Sequence, residues 1–267
     1  KDPLTDGSGF RADIMHPLSQ ENRAQIRKAR QSEDERTIEK FRAARQERQR
    51  EDRQQMQAIQ SWWLERLIET PRPLHEKLTL FWHGHFATGY RAVEDSWHMM
   101  AQNNMLRQNA GGNFKDDLVH DIIRDPAMIK YLNNNQNTRK APNENLAREL
   151  MELFTLGVGN GYTEDDIKEG ARALTGMSYR DDSFTFNQRN YDSSEKTIFG
   201  RSGQFNGADF VELIFRRPSA AWFVPWKMHR FFVDDSTEIS STTKAAVNQM
   251  ASTLKRSNWN VRPMLRE

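Results

Sequence analysis

Between Ser19 and Glu69 the chain contains neither Gly nor Pro. No residue type in this stretch forces a turn, and Arg, Gln, Glu and Ala dominate it, all good helix formers. The segment "RAARQERQREDRQQMQ" carries charges of both signs at helical spacings. Such a pattern suits either a basic arm on a polyanion or a long solvated helix. The interleaved acidic residues favour the solvated helix. After Met56 the pattern turns apolar, and Ile59, Trp62, Trp63, Leu67 and Ile68 are expected to face a core. "TPRPL" at 70–74 ends the helix, because proline cannot continue its hydrogen-bond ladder.

The rest of the chain is punctuated into shorter helices. One is expected from Leu74 to about His83, and another over 92–108. Asn113 is placed to cap "FKDDLVHDII", and "DPAMIKYL" has Pro at its first turn. "NLARELMELFTLG" is periodic and closes at Gly157. Thr163 and Asp166 have capping-box spacing before a helix that closes at Gly176. "SFTFNQ" alternates apolar and polar residues, and with "KTIFG" it reads as one short hairpin at about 178–200. Helices then return, the last over 242–255. The expected fold is mainly α: a multi-helix globular domain with a long N-terminal helix and a small β-hairpin insertion. Residues 1–18, with Pro3, Gly7, Gly9 and Pro17, are expected to be irregular, 19–69 to form the long helix, and 70–267 the helical domain. The opening lacks Met and a leader, and "VRPMLRE" reads as the start of a further helix. The expectation is therefore a processed chain, or one that is part of something longer.

Composition narrows the function. Seven Trp and fifteen Phe among 267 residues argue for a packed core. A net charge of +2 gives no electrostatic case for nucleic acid. The absence of Cys excludes a disulfide framework, a thiolate metal site and a Cys nucleophile. There is no run of about 18 apolar residues, so no transmembrane helix is expected.

Three sets of residues can carry chemistry. On one helix, Asn145, Glu149 and Glu152 form one polar stripe, and Glu144, Arg148 and Glu152 a second. Glu149 and Glu152 can serve as a general acid/base pair or ligate a cation. An exposed face with ordinary ion pairs has the same spacing. In "FWHGHF", His83 and His85 can share a metal if the backbone turns at Gly84. On a continuous helix they stand about 200° apart and can only pack separately. Asn103, Asn104 and Asn109, and the group Asn187, Arg189, Asp192 and Lys196, suit sugar-like or anionic ligands, although caps and turns use the same residues. A zinc-protease H-E-x-x-H, a P-loop, a dinucleotide fingerprint and a nucleophile elbow are all absent.

"PLHEKLTLFWHGHFATG", "NNMLRQNAGGNF", "IIRDPAMIKYLNNNQN" and "PNENLARELMELFTLG" occur in this order. In wording and order the chain resembles a bacterial family known as domain of unknown function 1800, over roughly Trp62 to Phe232. The resemblance implies a mainly helical, exported protein, periplasmic or extracellular, often encoded beside a partner of a second uncharacterised family that resembles sulfatases. It also implies family sequence before residue 1 and a shortened C-terminal part. It carries over no activity. The positions matching its motifs are His83, His85, Asn109, Asn143, Glu144, Asn145, Arg148, Glu149 and Glu152. His98 and His120 belong to no motif and are read as structural.

Two readings follow. In the first the chain is an exported hydrolase-like enzyme acting on a polysaccharide or other polar substrate. Glu149 and Glu152 would be catalytic, Asn109, Asn143, Asn145 and Arg148 would hold substrate, and His83 and His85 would either bind a divalent metal such as Zn, Mn or Fe or act as a proton-transfer pair. In the second it is a non-catalytic binding or assembly protein with a buried polar network and a long interaction helix. Nucleic-acid binding ranks last.

Overall fold

The computed structural model describes residues 9–236 and 238–267. Much of the irregular segment expected at 1–18, including Pro3 and Gly7, lies outside the described residues. The stretch without Gly or Pro is helical, but in two pieces, α1 (Gln20–Gln31) and α2 (Glu35–Glu69). The break comes at "SED". Glu33 takes a left-handed φ of 55°, and the Asp34 carboxylate accepts from the Thr37 amide at 3.1 Å. An Asp that caps a new helix start makes the interruption affordable without Gly or Pro.

Short helices follow: α3 (Pro73–His85), α4 (Tyr90–Val93), α5 (Ser96–Gln108), α6 (His120–Ile122), α7 (Pro126–Tyr131), α8 (Asn145–Glu149) and α9 (Glu164–Ala173). After two hairpins come α10 (Gly207–Phe215), α11 (Pro218–Phe232), α12 (Ser241–Arg256) and α13 (Val261–Met264). The caps act as their residue types dictate. Asn113 accepts from the amides of Lys115 and Asp116, Asp125 from that of Met128, and Thr163 and Asp166 form a full capping box. No helix of the described residues is long and apolar enough to cross a membrane.

Two features differ from the sequence pattern. "SFTF" does not pair with "KTI". Instead β1 (Met177–Arg180) pairs with β2 (Ser183–Phe186), and β3 (Lys196–Ile198) with β4 (Arg201–Gly203), giving two antiparallel hairpins. Each turns on a residue at positive φ, Asp181 at 52° in the first, and Phe199 with Gly200 in the second. The second difference lies in "NLARELMELFT". Regular α-helix ends at Glu149, and Leu150–Thr155 continues as a π-helix. The Leu156 amide reaches back five residues to the Met151 carbonyl at 2.9 Å. A π-turn widens the helix and turns later side chains away from a 3.6-residue register.

The core sits where α3, α5, the two π-helical turns (Phe114–Val119 and Leu150–Thr155), α10 and α11 meet. Trp82, Phe86, Phe114, Leu118, Leu150, Met151 and Phe210 are wholly or almost wholly buried. Trp82 and Phe114 stack at 5.5 Å, and the Trp82 indole N–H donates to the Ala110 carbonyl at 2.8 Å. A buried indole must find such a partner. Of the apolar residues assigned to the end of α2, Ile59 is buried, but Ile68 is 76% exposed.

Candidate functional site

Helix α3 runs unbroken through Gly84 to His85. The two histidines therefore diverge by two helical steps, about 200°. His83 packs edge-on against Trp63 with ring centroids 4.8 Å apart. Burial lowers its imidazole pKa, and the Arg107 cation adds to this. His85 points into the core, 4% exposed, within an aromatic shell of Phe81, Trp82, Phe86, Phe114 and Phe154. Its Nε2 lies 2.9 Å from the Phe154 carbonyl oxygen. That carbonyl belongs to the last turn of a helix, where no backbone donor remains to meet it. His85 thus acts as a C-terminal cap, with the Nε2 proton fixed by the bond. Burial holds this imidazole neutral, its pKa well below the ordinary value. Its Nδ1 is buried with no hydrogen-bond partner. The fold does not bring the pair together around one ion.

The α8 residues divide between structural and unengaged roles. Arg148 makes two parallel bonds of 2.8 Å to Glu164 at the start of α9, and reaches Glu152 at 3.5 Å. Its guanidinium pKa is raised, first by the hydrogen bonds to Glu164. Glu149 is half-buried and makes no side-chain hydrogen bond within the described residues. Burial raises its carboxyl pKa, the charge of Glu152 adds to the effect, and Arg148 opposes it. The Asn143 side chain accepts from the Asn145 amide at 3.1 Å, while the Asn143 amide donates to Asn137. Asn145 is exposed. Asn109 donates to Asp121 at 3.2 Å, beside the other π-helical turn. The stripe Arg148–Glu152 forms as the spacing predicts; Asn109 and the histidines lie elsewhere.

A closed polar network occupies the α2–α3–α5 junction. Glu76, 1% exposed, accepts from Arg66 at 2.7 Å and from Arg107 at 2.9 Å. Burial alone would raise the Glu76 carboxyl, but the two guanidinium hydrogen bonds outweigh it and the pKa is lowered. Arg107, fully buried, also donates to Asn104 and Asn103 and lies 5.2 Å from the Trp62 ring centroid. The asparagines before Gln108 thus serve the network rather than a ligand. In the hairpin group Asp192 and Lys196 are engaged, while Asn187 and Arg189 stay exposed. Arg172 binds Asp192 at 2.8 Å, and Lys196, 1% exposed, donates to the carbonyls of Asp192 and Ser194.

Sequence reasoning missed two clusters. His16 Nε2 lies 2.7 Å from Asp182 across 166 residues, and His98 Nε2 sits 3.4 Å from the other oxygen of that carboxylate. No local signal links these positions. Asp116, His120 and Glu212 place one ligand atom each within 4.8 Å of one another, the one such group of three or more among the described residues. The Lys115 ammonium already stands 3.0 Å from Glu212 and 3.3 Å from Asp116, supplying the positive charge those carboxylates need.

No curated protein and no solved structure matches the chain. The family model for a protein of unknown function, DUF1800, matches residues 8–267, and the chain belongs to that family.

Proposed function

We propose that this protein is an exported binding or assembly module whose partner-facing element is the N-terminal half of α2. One observation carries the reading. From Glu39 to Glu47 every residue except Phe41 is exposed, so this part of the helix has almost no apolar contact to hold it. A single ion pair, Arg42–Glu39 at 2.8 Å, lies within it. A helix that is polar on all sides is stable when it bridges to something else, and weak when left in water. Residues expected to hold substrate or metal give this reading further support. Arg148 is committed to Glu164 and His85 to a backbone carbonyl, and His83 packs edge-on against Trp63. The partner is a protein, and the family resemblance suggests the sulfatase-like protein encoded nearby. Export rests on the same resemblance, and cell fractionation tests it.

The test is co-expression with that partner, followed by size exclusion with light scattering. A 1:1 or higher complex is expected, with Arg42→Glu plus Arg45→Glu weakening it at least tenfold. A complex indifferent to those changes, or none at all, refutes the reading.

A second reading keeps the enzyme, and Glu149 favours it. A half-buried carboxyl with a raised pKa and no hydrogen-bond partner is suited to act as a general acid, with Glu152 beside it as the base. In this reading the substrate is a polysaccharide or other polar molecule, and any Zn, Mn or Fe would have to sit away from a shared His83/His85 position. Turnover that Glu149→Gln abolishes, with an unchanged melting temperature, would favour this reading over the first.

A further inference from the structure

A cavity of about 310 Å³ opens between α3 and α11, lined by Phe81, Gly84, His85, Lys227, Arg230 and Phe231. This lies at the small end of the range for ligand pockets, roughly 300–1,000 Å³. Its walls are mainly aromatic. Phe81 and Phe231 meet edge-on at 5.5 Å, and Phe81 stacks on His85 at 5.8 Å. Gly84 forms part of the wall and is exposed. A Cβ at this position would meet nothing within 4 Å.

The polar group in this wall is Lys227. Its Nζ makes one long contact, 3.4 Å to the Leu153 carbonyl, and lies 5.4 Å from the Phe223 ring centroid. No carboxylate of the described residues lies within ion-pair distance of it. A cation partly withdrawn from water without a counter-charge is costly, and an anion in the cavity would relieve that cost. Arg230 adds a second positive charge at the rim, where it donates to the Asp235 carbonyl. The other charged or titratable groups at the cavity are neutral His85, Asp235 at the edge, and Lys77, which sits 5.2 Å over the Phe231 ring.

We propose that this cavity binds a small carboxylate with an apolar body, the carboxylate pairing with Lys227 and the apolar part lying over Gly84 against Phe81 and Phe231. The site is independent of the α2 face. Burial lowers the Lys227 ammonium to about 8, so the charge that holds the ligand fades in mild alkali.

The experiment is calorimetric titration of the full chain with phenylacetate and with its neutral analogue phenylacetamide at pH 7. Phenylacetate should bind at least tenfold more tightly. Lys227→Met should erase that preference, and Gly84→Leu should remove binding of both compounds, each variant being checked for native near-ultraviolet circular dichroism. If Gly84→Leu does not fold, Lys227→Met alone decides. Raising the pH from 7 to 9 should weaken phenylacetate and leave phenylacetamide unchanged. Equal affinity for acid and amide, no binding of either, or undiminished phenylacetate binding in a folded Gly84→Leu variant would overturn the proposal.

Discussion

The two halves of α2 form one continuous helix but differ in residues and in surroundings. From Glu39 to Arg50 the helix meets mostly water. From Asp52 onward it is anchored by the buried Asp52 and the half-buried Gln55 and Arg66. Asp52 is 2% exposed and accepts from Tyr90 at 2.7 Å, from the Ser96 hydroxyl at 2.6 Å and from the Ser96 amide at 2.9 Å. Gln55 donates to Ser96 and to the Arg11 carbonyl, and Arg66 closes on Glu76. The first half is densely charged, whereas the second carries fewer charges and the apolar residues Ile59, Trp62, Trp63, Leu67 and Ile68. The halves differ as well in whether the rest of the chain supplies partners for their polar groups. One half is thereby structural, and the other is left available.

Substitutions should expose that contrast. Glu76→Gln leaves two guanidinium groups facing a neutral amide in the core and should cost about 3–5 kcal/mol in urea denaturation. Asp52→Ala strands the buried Ser96 amide and hydroxyl and should cost about 2 kcal/mol. By contrast Arg42→Ala, on the exposed half, should change stability by less than about 0.5 kcal/mol, since exposed ion pairs contribute little. Comparable losses at Arg42 and Glu76 would erase the distinction. Gly84→Ala should stabilise the helix by about 0.5–1 kcal/mol, because a methyl group there has room and reduces unfolded-state freedom.

Another small effect concerns the segment before α1. Partial burial lowers the His16 imidazole pKa, but the hydrogen bond and charge of Asp182 outweigh it, leaving the net value raised. A raised folded-state value means that the protonated histidine is favoured in the fold. Its contribution is full below the ordinary histidine range and is lost as pH rises through the folded value. With the side chain 34% exposed, screening holds this below about 1 kcal/mol. Melting temperatures between pH 6 and 8 should fall slightly more in the native chain than in His16→Gln.

Local signals survive into the fold wherever the interaction is local. Asn113, Asp125 and the Thr163–Asp166 box cap helices because a cap needs only its own next three residues. The Arg148–Glu152 stripe also forms, one turn apart. The long-helix expectation missed the break at Glu33 because sequence reasoning looked for Gly and Pro, whereas Asp34 marked the new start. The single hairpin became two because alternation in "SFTF" does not say which strand it pairs with. The π-helical turn after Glu149 leaves no mark in the residue pattern, which is periodic throughout. For the site, "FWHGHF" left its two outcomes open, and the continuous helix selects separate histidines. The Glu76 network and the His16–Asp182 contact depend on pairings 31 and 166 residues apart, which no window along the chain contains.

The division within α2 is tested most directly by hydrogen–deuterium exchange on the free protein. Amides from about Gln55 to Arg66 should exchange at least about a hundredfold more slowly than those from Glu39 to Arg50, because buried anchors protect one half and little holds the other. Equal protection along the whole helix would contradict the account.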